Sequence, residues 1–126
     1  MAVGKEMSSD IDKHEVEQQI KELTERFSRK LPSRINEIRK LYEELLYNNP
    51  ENSDNVNRMH DIAHTMAGSS GSFGLEKVSD SFKKLETYID ENSLPIPLKA
   101  DDEHSKVITN KIDAIEIAIS EQLLKE

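Results

Sequence analysis

The stretch DNVNRMHDIAHTMAGSSGSFG, residues 54–74, decides the fold, because it has the spacing of a helix yet carries two glycines inside it. Val56, Met59, Ile62, Ala63 and Met66 recur at steps of three and four, one face of an amphipathic helix. A helix over about Asp54–Ser72 follows, with Ser53 or Asp54 as its N-cap. Gly74 just beyond is a left-handed stop, and Phe73 plugs the end of the core.

Working outward, the same spacing runs through Val16, Ile20, Leu23, Phe27, Leu31, Ile35, Ile38, Tyr42 and Leu45, the stripe of one long helix. Pro32 interrupts it. Proline is tolerated in the first turn of a new helix, so a kink or short break is expected at Lys30–Ser33 with the stripe continuing across. NNPENSDN, Asn48–Asn55, is a chain reversal rich in turn formers. On the other side Leu75, Val78, Phe82, Leu85 and Ile89 make another helix, ended by the prolines of NSLPIPLKADD. Ile108, Ile112, Ile115, Ile119 and Leu123 make the last, about Glu103–Leu124. Such stripes can be buried only against one another, so the expected fold is all-α, an antiparallel up-down four-helix bundle with an extended or kinked N-terminal helix. Residues 1–10 are expected to be a flexible segment and 11–126 a single domain.

Composition narrows the function. With 17 Lys+Arg against 25 Asp+Glu the formal charge is −8, unsuited to phosphate backbones or anionic lipid, so neither nucleic acid nor membrane is an expected partner. The chain has no cysteine, hence no disulfide and no thiolate metal site. No apolar run approaches the roughly 20 residues of a membrane span, and MAVGKEMSSD lacks the apolar centre of a secretion signal. A cytoplasmic monomer is the expectation. No Gly-x-x-x-x-Gly-Lys loop offers an ATP site, and no Ser-His-Asp or Cys-His arrangement is readable.

Projection of residues 54–72 at about 100° per residue puts His64 roughly 160° from the centre of the apolar stripe. His64 therefore faces water, beside His60, Asp61, Ala67, Gly68 and Gly71. A glycine inside a helix costs about 1 kcal/mol relative to alanine, so Gly68 and Gly71 need a reason. One is close packing within the bundle. The preferred one is a surface kept bare so that a partner can bring its reactive group against the His64 imidazole. His60 and His64 at i and i+4 resemble half of a zinc site, but the remaining histidines, His14 and His104, lie near the starts of other segments and supply no third ligand. The expectation is no metal.

HTMAGSSGSFG, residues 64–74, followed by LEKVSDSFKKLE, residues 75–86, resembles the histidine phosphotransfer (HPt) domain of bacterial multistep phosphorelays. FSRKLPSRINEIRKLYEELL, residues 27–46, is similar to the first helix of many such domains. The resemblance implies a four-helix bundle in which His64 accepts a phosphoryl group from a receiver-domain aspartate or a kinase and passes it to another receiver aspartate. It implies response-regulator receivers and a hybrid sensor histidine kinase as partners, with Mg2+ supplied by the receiver and no cofactor in this chain. Such a chain is a phosphotransfer protein rather than a self-sufficient enzyme. The chemistry suits imidazole, which ordinarily titrates near about 6.5 and is a competent nucleophile when neutral.

One position departs from the family. Ala67 stands where most members carry lysine, which removes a cation expected beside a phosphohistidine. Alanine there resembles members associated with response regulators and diguanylate cyclases. His60 is either a partial substitute for that cation or, by preference, a solvated helix residue. The alternative function is a receiver-binding or regulatory module of the same fold with little phosphotransfer. Docking is expected through His60, Asp61, Ala67, Gly68 and Gly71, extended by Lys77 and Ser81 of the next helix.

Overall fold

The computed structural model describes residues 2–47, 53–94 and 98–125. Five helical segments cover them: α1 (Ala2–Ser28), α2 (Leu31–Tyr47), α3 (Ser53–Ser72), α4 (Glu76–Glu91) and α5 (Glu103–Leu124), with no strand among the described residues. α1 and α2 are one helix bent at Arg29–Lys30, close to the break expected from Pro32. Pro32 occupies the second position of α2, where its missing N–H costs nothing. The Ser33 hydroxyl meanwhile donates to the Lys30 carbonyl at 2.9 Å.

α2 to α5 form the four-helix bundle, and the cross-links between them show opposite chain directions. Arg39 of α2 pairs with Asp113 at 3.0 Å and Glu116 at 2.8 Å on α5. Further along α2, the Tyr42 hydroxyl donates to the Ser105 carbonyl at 3.0 Å, earlier on α5. Burial of the Arg39 guanidinium opposes its charge, but hydrogen bonds to Asp113 and Glu116 and their fields prevail and raise its pKa. The core is the one the apolar periodicity marks out: Leu31, Ile38, Leu45, Met59, Phe82, Leu85, Ile108, Ile112 and Ile115 are fully buried.

The N-terminal stripe departs from expectation. Val16, Ile20 and Leu23 are 50%, 54% and 47% exposed, so the stripe does not continue across the bend into the core. The end of α1 does pack: Ser28 is buried, and Phe27 stacks on Phe73 with ring centroids 4.9 Å apart. The reason is reach, since α1 runs on beyond the end of the bundle. α1 is helical from Ala2 onward.

Turn chemistry is as the residues require. Gly74 has φ +76°, the left-handed conformation that glycine takes without strain. Gly74 N–H donates to the Gly71 carbonyl at 3.0 Å and Leu75 N–H to Ser70 at 2.8 Å, the paired bonds of a Schellman stop. Asp102 caps α5, accepting from His104 N–H at 2.8 Å. α3 is already helical at Ser53, so neither Ser53 nor Asp54 is its cap. The reversal expected at Asn48–Asn55 falls largely outside the described residues, as do Pro95 and Pro97.

Candidate functional site

α3 buries Met59, Ala63 and Met66, and this fixes which way its opposite face looks. His64 projects from that face with its side chain 70% exposed, as projection requires. Its ring lies parallel to that of His60 one turn earlier, centroids 6.3 Å apart and planes within 4°. α4 runs antiparallel alongside, so residue numbers pair in opposite directions: His60 faces Asp90, His64 faces Glu86, and Gly71 faces Ser79.

Glu86 joins the two imidazoles. Its Oε2 is 2.6 Å from His64 Nδ1 and 3.9 Å from His60 Nε2, with the carboxylate side chain only 14% exposed. An ionised carboxylate only accepts hydrogen bonds, so Nδ1 is the nitrogen that donates to Glu86, and in the neutral imidazole the lone pair then lies on Nε2. His60 is half-buried at 27% exposure and lies 3.5 Å from Asp61 and 2.8 Å from Asp90 Oδ1. Burial works against protonation of His60, but contact with the Asp90 and Asp61 carboxylates and the charges of Asp90 and Glu86 outweigh it and raise its pKa. His60 is thus an ion-paired residue rather than the freely solvated one expected. The short Nε2 contact to Asp90 is off the N–H axis, and Nε2, itself sealed from solvent, makes no directed hydrogen bond.

The small residues divide into two roles. Ala67 is 7% exposed and belongs to the core, which corrects its expected place on the outer face. α4 approaches closely enough for the Ser79 hydroxyl to donate to the Ala67 carbonyl at 2.7 Å. Gly71 serves the same approach, since a Cβ there would meet Ser79 Oγ at 3.3 Å. Of these three residues Gly68 alone opens onto free space, with nothing within 4 Å of where a Cβ would sit. Asp61, two turns earlier on the same helix, has its side chain 82% exposed. Lys77 and Ser81 do not extend this face: Lys77 turns toward α5, 3.9 Å from Glu121, and Ser81 bonds back to the Lys77 carbonyl.

Glu86 and Asp90 escaped the sequence reading because they lie on another helix. The signal was the Leu85-Glu86 pair, which the resemblance covers and the site assignment did not use. The two carboxylates also alter the metal inventory: His60, Glu86 and Asp90 each offer a donor atom, and all three atoms lie within 4.8 Å of one another.

The family model described as the Hpt domain matches residues 22–118. The chain is a member of the Hpt family. An Hpt domain is a phosphoryl carrier of phosphorelay signal transduction and works with receiver domains and histidine kinases, so this Hpt domain has that general role. No helix among the described residues is long and apolar enough to cross a membrane. No curated protein and no solved structure matches the chain.

Proposed function

We propose that His64 is the phosphoacceptor of this Hpt domain, taking the phosphoryl group from a receiver aspartyl phosphate or a kinase and passing it to a second receiver. The observation that carries the reading is the 2.6 Å contact between His64 Nδ1 and Glu86 on a ring that is otherwise exposed. With Nδ1–H held by Glu86, the Nε2 lone pair points outward and attacks phosphorus in line. The N–P bond forms as the P–O bond to the receiver aspartate breaks, and the carboxylate leaves with the electron pair. Glu86 stabilises the positive charge that develops on the imidazole. Transfer to the next receiver is the reverse displacement. Magnesium comes with the receiver, the exchange takes place in the cytoplasm, and the Hpt domain acts as a monomer.

Docking in this reading uses the open ground at Gly68 with Asp61, His60 and the edge at Gly71. Ala67 contributes its smallness from within the core and brings no cation. That absence favours a second reading, a receiver-binding module that turns over little phosphate, tethered to a response regulator or diguanylate cyclase. Mixing with phosphorylated receivers separates the two: acid-labile, alkali-stable phosphate on wild type and none on His64→Gln is the expected result. Equal labelling of both proteins defeats the assignment to His64, and binding without labelling across several receivers establishes the second reading.

A further inference from the structure

We propose that His60, Glu86 and Asp90 form a binding site for a zinc-class dication, which nothing in the phosphoryl-carrier role requires. The framework is already paired. Glu86 and Asp90 stand one turn apart on α4, and His60 faces them from α3, so three donors converge from two rigid helices instead of loops. His60 Nε2 lies 2.8 Å from Asp90 Oδ1 and 3.9 Å from Glu86 Oε2. These separations bracket the roughly 3.3 Å between donors bound tetrahedrally to one ion at bond lengths near 2.0–2.1 Å.

The direction of the His60 ring supports an ion over a simple hydrogen bond. Nε2 is closed off from solvent without a directed partner, although a carboxylate oxygen lies within hydrogen-bonding distance. Ligands sharing one metal have this relation: each aims at the ion, and none lies on its neighbour's axis.

The donor set selects the ion. One imidazole and two carboxylates suit Zn2+ and similar transition dications, whereas Mg2+ prefers an octahedral shell of oxygen. Three protein ligands leave a coordination position for water, and Asp90 is exposed at that rim. Glu86 would then serve the ion and hold His64 Nδ1 at the same time, so occupancy is felt at the His64 ring. A consequence for phosphotransfer rests on the His64 assignment above; the binding itself does not.

Calorimetric titration of the untagged chain with zinc chloride tests the site, with magnesium chloride as the contrasting ion. The expected result is saturable binding of one zinc per chain and no comparable magnesium binding. His60→Ala and the more exposed Asp90→Asn should each weaken it at least about tenfold, since even the loss of an outer-shell partner costs that much. His104→Ala should retain it. At saturation the His64 ring resonances should shift in NMR spectra of the wild type. Absence of saturable zinc binding, or undiminished binding in both His60→Ala and Asp90→Asn, overturns the proposal. Zinc binding by wild type together with phosphate labelling of His64→Gln upholds the metal site and refutes the phosphoacceptor assignment, so the two can fail separately.

Discussion

Glu86 carries more of the candidate chemistry than its sequence neighbours suggest, because it sits mostly buried between two imidazoles and fixes the tautomer of one of them. Glu86→Gln keeps the shape but presents an amide that can hold either tautomer. Phosphoryl acceptance measured with a phosphorylated receiver should slow by roughly tenfold to a hundredfold, the size of a lost charge-assisted hydrogen bond, while His64 remains the labelled residue. The glycines make a second contrast at this scale. Gly68→Ala meets nothing and should stabilise the helix by about 1 kcal/mol in urea unfolding, with loss of receiver affinity if this ground is the docking surface. Gly71→Ala must push on Ser79 Oγ at 3.3 Å, so its gain should be smaller or reversed. The exposure of His64 could be read from helical projection alone. Its partner could not, because Glu86 lies 22 residues away and is brought near only by the pairing of two helices.

Those two helices account for what was and was not legible in single elements. Apolar spacing gave α2 to α5 their cores, Pro32 marked the bend, and Gly74 marked the stop, since each acts through its own backbone. Periodicity cannot say whether a stripe has anything to cover it, which is why Val16, Ile20 and Leu23 read as core and are exposed. It also cannot distinguish an outer face from the seam between two helices, which is why Ala67 was misplaced. The contacts of Ser79, Glu86 and Asp90 define the side of α4 turned toward α3, and exposed Lys83 stands one turn from Ser79 and from Glu86 at the solvent edge of that side. Lys83 can therefore offer a cation near His64 that Ala67 does not. Lys83→Ala should shorten the lifetime of the phosphorylated protein without changing its melting temperature; an unchanged lifetime removes Lys83 from consideration.

For the molecule as a whole, the family match begins at residue 22, and the structure agrees about where cohesion begins. Among the described side chains of α1, Val16, Ile20 and Leu23 are exposed, while Phe27 packs against the core and Ser28 is buried at its end. Removal of residues 1–21 should leave helical circular dichroism from the bundle intact and cost about 1 kcal/mol or less, a shift of roughly 4 °C in Tm. A much larger fall would mean that the stripe on α1 supports the bundle. The direct link between α3 and α4, through Phe73, Gly74 and Leu75, has a last consequence. Every group assigned to the candidate chemistry lies on one helical hairpin closed by that link, so their alignment is a local property of about thirty consecutive residues. Recombination that exchanged the flanking helices for others of matching contour would carry the reactive cluster over whole, which makes the hairpin the natural unit to transplant.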